Sequence, residues 1–155
     1  MPPRVVENID ELRSLVGQEI GVSEWFTITQ HLVDSFAEIT HDHQWIHIDA
    51  ERARRESPYG ATIAHGFLTL SLLSHLQKQV VHVQDSRFTR SINYGFNRLR
   101  FVSGVPVGSR VRARSTLKAL DDIEGGVQFT WLVNVELEGK EKPAIAAEWL
   151  GRLYQ

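Results

Sequence analysis

Beyond about residue 88 the chain is written almost entirely at a period of two, and nothing else in it limits the possible folds so strongly. In SRVRARSTLKAL (109–120), Val111, Ala113 and Ser115 point to one side and Arg110, Arg112 and Arg114 to the other. Residues 91–101, 127–137 and 144–154 read the same way, so four strands are expected. Turn clusters separate them: Pro106-Val107-Gly108, Asp121 to Gly126, and Gly139 to Pro143. Consecutive strands joined by such links pair antiparallel. Upstream the period is helical. Residues 8–16 predict a short helix capped by Asn8 or Asp10. Residues 29–40 predict an amphipathic one capped by Thr29, with Leu32, Val33, Phe36, Ala37 and Ile39 on its apolar face. Residues 61–80 carry apolar side chains on nearly every face, the pattern of a buried helix. Long antiparallel strands and one buried helix make an α+β architecture.

Composition narrows the function. The 155 residues are about one domain's worth of chain, and no repeat or linker divides them, so one domain over 1–155 is expected. Hydrophobic residues are 42% and charged residues 23%, which fits a packed globule. The net charge of −2 argues against nucleic acid, whose phosphates call for a basic stripe. The absence of cysteine removes disulfides, thiolate metal sites and Cys nucleophiles. No stretch approaches the ~20 apolar residues of a membrane span, and MPPRVVENIDELRSLVG lacks the apolar core of a secretory signal. The expectation is a soluble, cytoplasmic protein that binds neither membrane nor nucleic acid.

Residues 41–60 follow neither period. They are polar, hold three of the seven histidines and end in Ser57-Pro58-Tyr59-Gly60. Structureless segments of ~20 residues are uncommon in compact domains and tend to be functional; one helical turn is expected at 51–55. Asp42 and His47 there can converge on one small molecule as a general acid/base pair, since imidazole titrates near neutrality and a carboxylate can orient it or share a water. His65-Gly66 begins the buried helix, where free N–H groups suit a developing oxyanion and glycine admits a ligand close to the backbone. Ser74 lies farther along. Plainer roles exist for each: Asp42 as a cap, His47 as a hydrogen-bonded structural residue, Gly66 as a packing contact, Ser74 bonded to the carbonyl four residues back. The crowding of His41, Asp42, His43 and His47, with His65 as a further donor, also raises a zinc site, against which stands the opposite direction of neighbouring side chains in an extended loop. Arg52, Arg54 and Arg55 form a solvated face with some reach to ligand phosphates.

Taken together, these residues carry a resemblance. FAEITHDHQWIHIDAERARRESPYGATIAHGFLTLSLL (36–73) resembles the MaoC-like dehydratases, the (R)-specific enoyl-CoA hydratases: an Asp, four residues and a His (Asp42, His47), an overhanging loop, an apolar pair with His-Gly (Ile63 to Gly66), then a long helix. Ser74 stands where members of that family often carry a serine, and RLRFVSGVPVGSRVRA (98–113) looks like the family's strand and turn. The usual loop Asp-Phe-Asn-Pro-Leu-His is replaced by Asp42-His43-Gln44-Trp45-Ile46-His47, the variant of the NodN-like branch, with Gln44 standing in for the Asn.

The resemblance implies a hot-dog fold, an antiparallel sheet wrapped around a central helix at 63–80. It implies a homodimer with active sites near the interface, and Val127, Phe129 and Trp131 are candidate apolar positions for that contact. The implied activity is reversible hydration of a trans-2-enoyl-CoA to the (R)-3-hydroxyacyl-CoA, without metal or cofactor beyond the substrate's own coenzyme A. Asp42 and His47 would be catalytic; Gly66 would hold the thioester oxygen, with Gln44, His65 and Ser74 lining the substrate. Two other readings remain: a hot-dog acyl-CoA thioesterase, which would normally use a carboxylate on the central helix or an adjoining strand where residues 61–80 have none, and a non-catalytic acyl-CoA or acyl-carrier binding domain.

Overall fold

The structure is a computed structural model describing residues 1–155. In chain order its elements are β1 (Arg4–Val6), α1 (Ile9–Arg13), β2 (Glu19–Val22), β3 (Phe26–Thr27), α2 (Gln30–Thr40), α3 (Trp45–Ile48), α4 (Ala50–Glu56), α5 (Gly66–Ser71), α6 (Leu73–Val80), β4 (Val81–Val83), β5 (Arg90–Phe101), β6 (Arg110–Ile123), β7 (Gly126–Leu137) and β8 (Ile145–Tyr154). The four long strands fall where period two places them, and the sheet runs β2-β6-β7-β8-β5, antiparallel throughout, with β3 also pairing β6. β5 ends the sheet with one edge unpaired. The short strands β1 and β4 form a separate parallel pair.

Alternation decides which face is core. Val111, Ala113 and Ser115 are wholly buried, while Arg110, Arg112 and Arg114 on the other face bond Glu138 and Glu136, and Arg114 also bonds Glu19. Against the buried face lie α5 and α6, with Leu68, Leu73, Leu76 and Val80 packed among Leu117, Val133 and Val135. This is the hot-dog arrangement, α+β, with the helix wrapped by the sheet.

Three expectations change. The central helix begins at Gly66 rather than residue 63: Ile63 bridges Pro106 and the Ala64 N–H donates to the Val105 carbonyl, which holds both residues extended. It is also two helices with a seam at Leu72, and it is not covered all round, since Phe67 is 66% exposed. Val127, Phe129 and Trp131 are buried under that helix and cannot form a contact between copies. Finally, Ile39 is exposed, so the apolar stripe of α2 is narrower than its sequence suggests: Val33 and Ala37 are its buried residues.

Candidate active site

The segment after α2 is shaped by local bonds. Thr29 caps α2 as expected, and the helix ends in the left-handed conformation at His41 (φ 59°), a C-terminal turn here made without glycine. Asp42 Oδ1 accepts from the Gln44 N–H at 3.4 Å, and α3 then forms a single turn that carries His47 inward. Asp49 caps α4, so the segment expected to be nearly structureless holds two helices.

His47 is only 6% exposed and is clamped from three sides. Its Nδ1–H donates to the Ile63 carbonyl at 2.7 Å, which leaves Nε2 as the free basic nitrogen. Its own carbonyl accepts from Gln30 Nε2 at 2.8 Å, and Gln30 Oε1 accepts from the Thr62 hydroxyl at 2.6 Å. The Ile63 N–H in turn donates to the Ile46 carbonyl. Gln30 and Thr62 thus tie the His47 turn to the strand-like entry of α5; neither stood out in the sequence, because a polar residue at a helix start looks like any exposed one. Burial pushes the His47 pKa below the ordinary 6.5; the neighbouring His65 adds to this, and the bond to Ile63 and the charge of Asp42 oppose it. His47 is therefore held neutral at pH 7.

His65, 3% exposed, stacks on His47 with ring centroids 3.8 Å apart and an interplanar angle of 23°. Its Nε2–H donates to the Asp42 backbone carbonyl at 3.0 Å, and Asp42 Oδ2 stands 4.0 Å from the same nitrogen. The half-exposed Asp42 carboxylate, His47 and His65 bring one donor atom each to within 4.8 Å of one another. His41 and His43 do not join them: His41 is exposed and His43 pairs with Glu38.

His47 opens on a cavity of about 200 Å³ whose walls include Gly66, Thr69, Tyr59 and Phe101. Gly66 opens α5, so its N–H has no carbonyl within the helix to bond. A Cβ there would stand 2.9 Å from the Phe101 ring, which explains glycine at this position. Thr69, three residues on and hence on the same helix face, is 2% exposed, and its hydroxyl has no partner. His65 Nδ1 is likewise buried and unbonded. Thr69 escaped the sequence reading because a threonine among leucines at helical spacing looks like core.

Other candidates lie apart. Asp42 is not among the residues walling this cavity. Gln44 is exposed at the N-cap of α3 and its side chain caps nothing. Ser74 is exposed and lines a different depression, along α5–α6. Arg52 lies over the Trp45 ring at 4.2 Å and bonds Glu56, an occupied role on the surface.

A neutral imidazole opening on a small cavity at a helix start, with a half-exposed carboxylate close to it, in a hot-dog fold, makes an enzyme site of the acid/base kind. Residues 11–138 match the family model described as MaoC like domain. The chain is 49% identical over 150 residues to 3-hydroxyacyl-thioester dehydratase Z of Mycobacterium tuberculosis, covering 96% of this chain and 97% of that protein. It is 46% identical over 144 residues to nodulation protein N of Rhizobium meliloti, covering 92% and 89%. Among solved structures, the (R)-hydratase from A. caviae involved in PHA biosynthesis aligns with a TM-score of 0.64 at 25% identity, over 87% of this chain and 96% of that one. The chain belongs to the MaoC-like dehydratase family and is an enzyme.

Proposed function

We propose that the enzyme reversibly hydrates a trans-2-enoyl-CoA to the (R)-3-hydroxyacyl-CoA. The observation that carries this reading is His47: a neutral imidazole fixed through Nδ1, with Nε2 free at a cavity that also meets the unbonded Gly66 N–H. The names of the relatives, a 3-hydroxyacyl-thioester dehydratase and an (R)-hydratase, support it.

In the hydration direction a water lies between Asp42 and His47. As its oxygen bonds to C3 of the enoyl group, one of the two takes a proton from it, and a proton is delivered to C2 on the same face. Negative charge moves to the thioester oxygen, where the Gly66 N–H donates and the Thr69 hydroxyl, on the same face of α5, donates beside it. Gln44, exposed at the start of α3, and Ser74, along α5–α6, stand outside the cavity and have no part in this step.

We propose that the step calls on no metal: Asp42 and His47 supply the acid/base function between them, although with His65 they bring one donor atom each to within 4.8 Å of one another.

The assembly we propose is a homodimer through β5. That strand leaves an edge unpaired and exposes Ile92 (48%) and Tyr94 (55%), with Phe67 beside it; such an edge invites pairing. A thioesterase is disfavoured, because neither residues 61–80 nor the cavity walls carry a carboxylate. The test is to follow enoyl-CoA absorbance and free thiol together. Loss of the enoyl band without thiol release supports hydration. Thiol release supports the thioesterase, and no change supports a binding domain.

A further inference from the structure

The cavity beside His47 has an outer neighbour. A depression of about 700 Å³ shares Tyr59, Ser103 and Gly104 with it as walls, so the two spaces meet there. An added Cβ on Gly104 would stand 2.7 Å from the Tyr59 ring, and the glycine is what lets ring and backbone lie so close. The inner space, about 200 Å³, takes in Gly66 but is small for a whole ligand, whereas the outer one falls within the ~300–1,000 Å³ of small-molecule sites.

The turn between β7 and β8 supplies the charged wall of the outer depression, with Lys140, Glu141 and Lys142. Gly139 makes this turn at φ 76°, and the Lys140 N–H closes it on the Leu137 carbonyl. Both lysines are exposed, and neither ammonium meets a carboxylate or another acceptor of the protein. The cations of the adjoining strand β6 are all matched: Arg110 pairs with Glu138, Arg112 and Arg114 with Glu136, and Lys118 with Glu148. Glu138, the carboxylate beside the turn, is thus already taken. Two lysines against Glu141 alone leave the depression at net +1. Arg52, Arg54 and Arg55, which the sequence offers for ligand phosphates, wall neither space.

We infer that Lys140 and Lys142 bind a phosphate of the substrate's carrier arm, which enters past Tyr59 and Gly104 while the thioester lies at Gly66. This rests on the hydration reading above and adds to it the residues that read the carrier. A lysine ammonium is a point charge on a flexible stem, suited to a phosphate at the solvent end of a long arm. Coenzyme A and a carrier protein both present a phosphate at the end of pantetheine; coenzyme A adds those of its nucleotide.

The test compares one trans-2-enoyl group carried as a thioester on coenzyme A, on 4′-phosphopantetheine, and on pantetheine without phosphate. In the double variant Lys140→Ala, Lys142→Ala, whose exposed positions keep the fold intact, kcat/KM for the coenzyme A thioester should fall about 10-fold, through KM, with kcat little changed. The unphosphorylated thioester should be hydrated equally well by wild type and variant. A like loss with 4′-phosphopantetheine supports the inference and puts the contact on the phosphate that both carriers share. Loss with coenzyme A alone also supports it, puts the contact on the nucleotide, and makes free coenzyme A the carrier. An unchanged KM for every thioester would overturn the inference, and so would an equal loss with the unphosphorylated one. If the wild-type enzyme hydrates none of them, the hydration reading has failed by itself. Calorimetric titration with coenzyme A then decides the lysines: about 10-fold weaker binding by the variant sustains their role, and equal affinity overturns it.

Discussion

His47→Gln separates chemistry from stability. The glutamine amide can still donate toward the Ile63 carbonyl, which keeps the 2.7 Å bond or one close to it. What disappears is the free Nε2 facing the cavity, together with the stack on His65. Losing a general acid/base typically costs ~10²–10⁴ in rate. Imperfect replacement of one buried hydrogen bond costs about 1–2 kcal/mol, which for a chain of this size lowers Tm by only a few degrees. Loss of the enoyl-CoA absorbance band reports the first quantity and thermal unfolding by circular dichroism the second. A variant that melts within a few degrees of wild type yet hydrates at least ~10²-fold more slowly is the expected result. More than half of wild-type activity in a folded variant would refute the assignment. The pH profile follows from the same geometry. Burial lowers the His47 pKa, so the neutral base persists to below the ordinary value near 6.5, and kcat/KM for hydration should be level at pH 7 and fall only at a more acid pH. Stability should fall on the same side, because the unfolded chain takes up the proton at a higher pH than the folded one.

Four further outcomes are expected. Asp42→Asn should also lose at least ~10²-fold in hydration, with the double variant Asp42→Asn, His47→Gln little worse than either single one, since both act on one water; steady-state rates of the three decide it. Thr69→Val, nearly the same shape, should lower kcat about 10-fold with KM little changed, and Thr69→Ser should restore it; full activity in the valine variant would remove the hydroxyl from the oxyanion arrangement. Dialysis against a strong chelator should leave the rate unchanged, and sedimentation at low micromolar concentration should return about twice the 17.7 kDa chain mass. Activity restored only by zinc, or a fully active monomer, would contradict the corresponding proposal.

The legible parts of the sequence were those with a long period. Strands β5 to β8 run ten residues or more, enough for alternation to show, and α2 announced itself through Thr29 and its apolar stripe. The short strands β1 to β4, two to four residues each, contain no full period and went unread. α3, four residues long, shows no period either, and of α4 only the single turn expected at 51–55 is legible. Alternation also fails to say which face of a strand the helix will cover. Val127, Phe129 and Trp131 therefore read as well for an interface as for the core they form, while the exposed apolar surface is on β5 at Ile92 and Tyr94. In the site, the residue types of Asp42, His47, His65 and Gly66 were informative because each has a chemical use. Gln30, Thr62 and Thr69 act through where the chain brings them, and such placement leaves no mark on the sequence.

The stereochemical course of the reaction in deuterated water tests the account most directly. Incubation of the wild-type enzyme with a trans-2-enoyl-CoA, followed by configurational analysis of the product, should give the (R)-3-hydroxyacyl-CoA with one deuteron at C2. That deuteron should lie on the face to which the oxygen added, because Asp42 and His47 approach the double bond from one side. An (S) product, or deuterium on the opposite face, would contradict the arrangement of Asp42, His47 and Gly66 around one bound thioester.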